Sequence, residues 1–143
     1  MLSAYPACFF KEDTGYSVIF PDLNDLATCG ETLDEAISMA TDCLAGYLYW
    51  LDKDGEAAPS PSPIHQISLA DTATELDIFL DENAFVNIVA VDVDQYAKLH
   101  FEKSVKKTLT IPAWLNIAAQ RQGINFSQVL QEALKAQLYP KKQ

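Results

Sequence analysis

The chain has 143 residues, of which 49% are apolar and 21% charged, and its formal net charge is −10. That length suits one domain or one domain with a small appendage, and the apolar share excludes wholesale disorder. No apolar run is long enough to cross a bilayer, and the opening stretch MLSAYPACFFKED lacks the basic region of a signal peptide, so we expect a cytoplasmic protein with no membrane partner.

The first predicted elements are the two strands of a hairpin. LSAYPACFF (2–10) and YSVIF (16–20) are rich in aromatic and β-branched residues, and the KEDTG between them has turn composition. A short third strand fits residues 26–29, between turn signals. Together these segments predict a small antiparallel sheet.

The strongest helical pattern covers residues 32–54. Thr32 is a candidate N-cap, and Glu35 completes a capping box three residues later. Apolar side chains then recur along one face at helical spacing. They are Leu33, Ala36, Ile37, Ala40, Leu44, Tyr47, Leu48 and Leu51. Because this face needs a sheet to lie on, residues 1–97 are predicted to form an α+β domain, a small antiparallel sheet covered by one long helix.

Weaker signals follow the long helix. EAAPSPSP (56–63) predicts a surface loop, ISL (67–69) an edge strand, and the acidic residues 70–84 a loop. FVNIVAVDVD (85–94) predicts a strand, and its continuous apolar centre favours an interior position in the sheet. Residues 95–104 fit either a short helix or a linker.

The three cysteines, Cys8, Cys29 and Cys43, are odd in number and show no metal-binding spacing. This usage is typical of reduced thiols that behave as small apolar side chains. We therefore expect mostly buried thiols and neither a metal nor a cofactor.

Charge divides the chain into two parts. Residues 1–97 hold 2 lysines and 18 acidic residues, a net charge of −16, and residues 98–143 hold 8 basic and 2 acidic residues, a net charge of +6, which sum to −10. Opposite charge in two parts predicts two kinds of partner. The acidic domain would attract a basic protein, whereas the basic domain could sit on phosphates.

The basic part begins with a predicted strand, VKKTLTIP (105–112). Alternation places Val105, Leu109 and Ile111 on one face and Lys106, Thr108 and Thr110 on the other, although Lys107 shares the apolar parity. Pro112 starts a helix over 113–122, Gly123 ends it, and Asn125 is the candidate N-cap of a second helix over 126–138. The apolar stripes of these helices are Leu115, Ala118 and Ala119, then Val129, Leu130, Ala133, Leu134 and Leu138.

One strand and two short helices cannot bury these faces alone, so we predict at least a homodimer. Two strands would pair antiparallel into a ribbon, and four helices would form one shared core. Such a ribbon fits the major groove of double-stranded DNA, and the start of the second helix offers backbone amides and a hydroxyl to a phosphate. The predicted DNA-binding residues are Lys106, Thr108, Thr110, Asn125 and Ser127. A dimerisation element that touches no DNA is the alternative.

Two resemblances accompany these patterns. The order of strand, proline, helix, glycine–isoleucine–Asx turn and Ser-x-x-Leu helix over 105–138 resembles the ribbon-helix-helix family of DNA-binding proteins. YSVIFPDL (16–23), Thr28-x-Gly30, TLDEA and DGEAAPSPS (54–62) are together similar to the HicB antitoxin family. That family commonly has Pro-Gly-Cys where this chain has Asn24-Asp25-Leu26, so the shape of that loop and any partner contact there stay open.

The HicB resemblance implies a HicB-like α+β fold related to a degenerate RNase H core, followed here by a ribbon-helix-helix module in residues 98–143. It also implies an antitoxin of a type II toxin–antitoxin system. Such a protein binds and neutralises a small basic mRNA-cleaving toxin, HicA, and represses its own operon by binding operator DNA. An orphan ribbon-helix-helix regulator without a toxin partner is the alternative.

A metal-dependent RNA-cleaving enzyme is the third hypothesis, because an RNase H-type site needs carboxylates that converge on a metal. Its candidates are Asp22, Asp25, Glu31 and Asp34. The first two fit turn positions, and the other two flank a helix N-terminus, where the helix dipole favours them. His65 and His100 have no nucleophile at a motif spacing. We therefore expect no catalytic residues and no enzyme.

Overall fold

The computed structural model describes residues 2–140. The chain divides into two compact units, the first ending at Lys103 and the second beginning at Ser104. The first contains strands β1 Leu2–Lys11, β2 Tyr16–Phe20, β3 Leu26–Gly30 and β4 Phe85–Asp92, with helices α1 Leu33–Lys53, α2 Leu69–Glu75 and α3 Val93–His100; the second contains α4 Ala113–Arg121 and α5 Phe126–Leu138. Position 97/98, where the sequence divides by charge, lies within α3.

The sheet of the first unit is antiparallel, with strand order β3-β2-β1-β4. The predicted hairpin and third strand are therefore confirmed. The interior position predicted for β4 is wrong, because β4 is an edge strand that pairs only with β1 along its length. The longest continuous buried run lies on β1, an interior strand in which residues 5–10 are all buried. Both faces of β1 are covered, which explains why apolar side chains occupy consecutive positions there.

Helix α1 covers the first face of the sheet. Thr32 caps it by accepting a hydrogen bond from the Glu35 amide at 3.1 Å, and the Glu35 carboxylate accepts one from the Glu31 amide at 2.7 Å. The predicted cap is thus confirmed, with the reciprocal bond going to the residue before it. Gly30 brings β3 against the start of α1, since a Cβ there would lie 2.4 Å from the Ala36 nitrogen.

The stripe predicted for α1 is confirmed only in part. Ala36, Ala40, Leu44 and Leu48 are buried in a core with Tyr5, Ala7, Phe9, Val18 and Phe20 from the sheet. Leu33 and Ile37 remain 37% and 44% exposed, so their predicted burial is wrong. Both lie in the first two turns, where helical spacing alone could not show how far the sheet extends beneath them.

The second face of the sheet is also covered, which the sequence did not predict. Residues 67–69 form no strand and residues 70–84 are not all loop, because α2 occupies Leu69–Glu75 with Ser68 as its N-cap. This helix lies over a second buried cluster made of Cys8, Phe10, Ile19 and Ala73. At seven residues, α2 is too short to show a periodic stripe.

The three cysteines lie in different environments. Cys8 is buried and Cys43 is half-buried, whereas Cys29 is exposed, so the expectation of mostly buried thiols fails for Cys29. Burial raises the pKa of the Cys8 and Cys43 thiols above the ordinary value. Both thiols therefore hold less of the reactive thiolate at neutral pH than an exposed cysteine.

The second unit contains both predicted helices. Gly123, with φ of +66°, ends α4, and the amides of Gly123 and Ile124 bond the carbonyls of Gln120 and Ala119 at 3.0 and 3.1 Å. This pairing is a Schellman ending, for which glycine is favoured. Residues 105–112 form no strand within this single chain. The strand predicted there depends on hydrogen bonds from a second copy, so it stays a prediction.

Candidate functional site

The apolar side chains of the second unit are exposed to solvent. No residue from Ser104 to Pro140 is buried. On the segment 105–112, the side chains of the apolar face, Val105, Leu109 and Ile111, are 87%, 56% and 41% exposed. Lys106, Thr108 and Thr110 are exposed as well. Both sides of this segment are therefore open to solvent in a single chain.

The helices of the second unit show the same exposure. Eight large apolar side chains of α4, α5 and the turn between them are 40% exposed or more: Trp114, Leu115, Ile117, Ile124, Phe126, Val129, Leu134 and Leu138. A soluble protein rarely leaves so many large apolar side chains open within one short segment unless they belong to an interaction surface. The second unit thus contains the apolar side chains of a hydrophobic core but does not bury them in a single chain.

The predicted N-cap of α5 is confirmed. Asn125 is the N-cap, and its side-chain oxygen accepts the Gln128 amide at 3.1 Å. The Ser127 hydroxyl accepts a hydrogen bond from the Gln131 side chain at 3.2 Å. Asn125 and Ser127 act only as acceptors in these bonds, so the backbone amides of Phe126 and Ser127 and the Ser127 hydroxyl can still donate to an anion.

The predicted site residues therefore fall into two groups. Lys106, Thr108 and Thr110 lie on the segment before α4, whereas Asn125 and Ser127 lie at the start of α5. All five are exposed. Helix α4 separates the two groups along the chain.

In the first unit, one of the four acidic candidates for a metal site has a clear structural role. The Asp22 carboxylate accepts hydrogen bonds from the Ser62 amide and hydroxyl, both at 2.7 Å, and so holds the proline-rich loop. Asp25 sits in a turn with φ of +55°. Among residues 2–140, no group of three or more histidine, cysteine or acidic side chains is placed to hold a metal ion.

Two further carboxylates support the helices of the first unit. The Asp92 side chain accepts the Gln95 amide at 3.1 Å and caps α3, and this hydrogen bond lowers the pKa of Asp92. Asp42 on α1 accepts a hydrogen bond from the Tyr96 hydroxyl at 2.9 Å. Burial and this neighbouring carboxylate raise the pKa of Tyr96. The bond links α1 to α3 on one face of the sheet.

One exposed aromatic residue was not predicted from the sequence as a candidate for binding. Phe79, in the loop between α2 and β4, is 84% exposed, and Leu80 beside it is 43% exposed. Acidic residues surround them in the sequence DIFLDE. The sequence does contain a signal for this surface, namely three consecutive apolar residues between carboxylates in a segment without helix or strand periodicity.

The described helices include none that is long and apolar enough to span a membrane.

The two structural units carry net charges of opposite sign. Residues 1–103 hold 4 basic and 19 acidic residues, net −15, and residues 104–143 hold 6 basic and 1 acidic residue, net +5, which sum to −10. The contrast in charge therefore follows the structural division.

Comparisons with known proteins agree on one family. The model of HicB-like antitoxins of bacterial toxin–antitoxin systems matches residues 5–133. Antitoxin HicB 1 of Photorhabdus laumondii is 37% identical over 76 residues, 49% of this chain and 49% of that relative. Antitoxin HicB 2 of the same organism is 38% identical over 58 residues, 41% of this chain and 42% of that relative. The alignments thus span about half the length of these curated relatives or less.

A solved structure extends the comparison to nearly the whole chain. A toxin–antitoxin complex from Streptococcus pneumoniae contains a chain that is 34% identical to this one, with a TM-score of 0.63. The alignment covers 96% of this chain and 99% of that one. Because the family model spans both structural units, the chain belongs to the HicB-like antitoxins of bacterial toxin–antitoxin systems.

Proposed function

We propose that this chain is the cytoplasmic antitoxin of a type II toxin–antitoxin system of the HicA/HicB type. Its first unit binds and neutralises a small basic mRNA-cleaving toxin. Its second unit forms a homodimer or higher oligomer, binds operator DNA and represses the operon that encodes both proteins. The chain acts by binding and catalyses no reaction.

The observation that carries the proposal is the absence of any buried residue from Ser104 to Pro140. Two short helices whose apolar faces are exposed to solvent are not stable by themselves, since helices in proteins depend on packing for most of their stability. A second copy supplies the missing surface. Paired segments 105–112 then form the ribbon of a ribbon-helix-helix module, and the apolar sides of α4 and α5 form a common core.

The ribbon gives the second unit a surface for DNA. Pairing satisfies the backbone groups of residues 105–112 and turns Val105, Leu109 and Ile111 toward the helices. Lys106, Thr108 and Thr110 of both copies then face outward, where they can enter the major groove. The free amides at the start of α5 hold a phosphate beside it, with Asn125 shaping the helix start and Ser127 near the anion.

Charge supports the assignment of a different partner to each unit. The second unit carries +5 and suits DNA, whereas the first carries −15 and suits a basic protein. The likeness to a chain from a solved toxin–antitoxin complex supports a toxin as that basic protein.

Operator binding is tested with the triple variant Lys106→Ala, Thr108→Ala and Thr110→Ala. We expect it to keep the oligomeric state of the wild-type chain and to lose affinity for the promoter fragment of its own operon by about tenfold or more, measured by fluorescence anisotropy. Wild-type affinity should also fall steeply with salt, by a slope of about −0.9 per phosphate contact. Lys135→Ala, on the last turns of α5, is the matched control and should behave like the wild type.

Toxin binding is tested by copurification of the tagged chain from its own cells. A small basic protein encoded beside it, recovered at fixed stoichiometry, supports the proposal, and coexpression should relieve its toxicity. A clean oligomer without such a partner contradicts the antitoxin function and favours an orphan regulator. Unchanged operator affinity in the triple variant contradicts the ribbon instead.

A further inference from the structure

Among the described residues of the first unit, Phe79 is the most exposed large apolar side chain, at 84%. It lies in the loop between α2 and β4. A solvent-exposed phenylalanine contributes nothing to the core of its own chain, and aromatic side chains that anchor protein interfaces are found in such positions. Leu80 beside it is also exposed.

The loop that carries Phe79 is fixed at its first end. The Ile78 amide donates to the Ala73 carbonyl at 2.8 Å, and Asp77 adopts a left-handed conformation with φ of +53°. This is a Schellman ending of α2 with aspartate in the place that glycine usually takes. Ile78 then packs against the buried cluster under α2. The backbone directly before Phe79 is therefore held by both hydrogen bonds and packing.

The second end of the loop is also fixed. The Asp81 carboxylate accepts hydrogen bonds from the amide and the side chain of Asn83, both at 2.7 Å, and the Ala84 amide bonds the Asp81 carbonyl at 3.1 Å. A loop held at both ends presents its exposed side chain with little ordering left to do. Preorganisation of this kind favours affinity, because less conformational entropy is lost on binding.

The surface around Phe79 is acidic. Phe79 and Ile78 line an open cavity of about 400 Å³ together with Lys11, Glu12, Asp13, Asp77 and Asp81. Four carboxylates and one lysine give this lining a net charge of −3. The Lys11 ammonium is already bound to the Glu12 carbonyl at 2.9 Å, and it lies 5.2 Å from the centre of the Tyr16 ring. An apolar anchor within a surface of net negative charge fits a basic partner and repels both DNA and a second acidic unit.

We propose that this Phe79 surface is the place where the basic toxin docks, an inference that rests on the proposed antitoxin function. The Phe79 ring enters an apolar pocket of the toxin. Lysine and arginine side chains around that pocket face Glu12, Asp13 and Asp77. The ring provides most of the affinity, and the carboxylates speed the encounter.

The test uses full-length protein and, as probe, the basic protein recovered in the copurification, purified separately. Phe79→Ala should weaken its binding by about tenfold or more, mainly through faster dissociation. Leu99→Ala, on α3 at 80% exposure, removes a similarly exposed apolar side chain from the helices over the first face of the sheet. This control should bind within about twofold of the wild type.

A second variant tests the charges without removing the anchor. Asp13→Asn with Asp77→Asn preserves shape, and asparagine tolerates the left-handed position of Asp77. We expect slower association at low salt, and the difference from the wild type should disappear as salt rises. Thermal unfolding of each variant should match the wild type, because the changed side chains lie on the surface.

The outcomes separate the two proposals. If the wild-type chain binds no basic protein, the antitoxin function fails and the docking surface fails with it. If the wild type binds the toxin and Phe79→Ala binds equally well, only the docking surface is overturned. It is also overturned if Phe79→Ala changes operator affinity and leaves toxin affinity intact, since the surface would then serve the basic second unit.

Discussion

The two units of this chain differ in what each can bury by itself. The first covers both faces of its sheet, with α1 over one cluster and α2 over the other. Among the described residues, every buried one lies at or before Ala97, and none lies between Ser104 and Pro140. The first unit therefore has the core of an independent domain, whereas the second has half of a core. Stability of the first should not depend on protein concentration, and stability of the second should.

The largest effect is expected from a charge placed in the shared core. Leu134 on α5 is 53% exposed in the single chain, so the chain's own packing barely uses it. In a dimer, Leu134→Asp would bury an unpaired carboxylate at a cost of about 3–5 kcal/mol, which weakens assembly by a hundredfold or more. Analytical ultracentrifugation should show a monomer, and operator binding should be lost.

Gln128→Asp is the matched control for this change, since it adds the same charge to α5 at an exposed residue with no three- or four-residue spacing to the apolar stripe. It should keep the oligomer. The first unit should unfold at the same temperature in both variants. A dimeric Leu134→Asp variant would show that another surface joins the copies and that α4 and α5 form no shared core.

The next effect belongs to the first unit alone. Phe9 is 1% exposed, and its ring stacks on Phe85 with centroids 4.8 Å apart. Phe9→Ala should lower the free energy of unfolding by about 3–5 kcal/mol at every protein concentration. Trp50 on α1 reports this unfolding by fluorescence once Trp114, the other tryptophan, is replaced by phenylalanine.

Phe79→Ala is the control, because it makes the same substitution in the same unit at a residue 84% exposed. Its effect on unfolding should stay within about 0.5 kcal/mol. If Phe9→Ala prevents folding altogether, Phe9→Leu offers a smaller loss that remains measurable. A loss that depends on protein concentration would mean that the core of the first unit is itself shared between copies.

The sequence predicted the elements whose signals are local. Helix α1 has a cap and a long stripe, and α5 begins at Asn125 after a glycine turn, so both could be placed to within a residue or two. The interior position predicted for β4 was wrong because both β1 and β4 are apolar runs. Only the pairing of strands decides which of two such runs lies at the edge.

The candidate sites divide in the same way. Lys106, Thr108 and Thr110 follow from the two-residue period of one segment, which is visible in the sequence. Phe79 depends on where α2 ends and on Ile78 packing into a cluster, and α2 was itself too short to predict. The exposure of a single aromatic residue is set by tertiary packing, which local patterns do not contain.

The smallest expected effect compares one helix cap from each unit. Thr32 caps α1 and Asn125 caps α5, each by accepting an amide hydrogen bond at 3.1 Å. Replacing either with alanine should cost about 1 kcal/mol, while Thr32→Ser and Asn125→Asp should retain most of the cap. Amide hydrogen exchange followed peptide by peptide reads each unit separately in the unmodified chain.

The two losses should respond differently to protein concentration. A tenfold increase favours a dimer by about 1.4 kcal/mol, enough to restore the protection that Asn125→Ala removes from α4 and α5. The same increase should leave the Thr32→Ala loss unchanged, because α1 packs on a core within its own chain. Should the Asn125→Ala loss also be independent of concentration, the second unit folds without a second copy, and its exposed apolar residues require another partner.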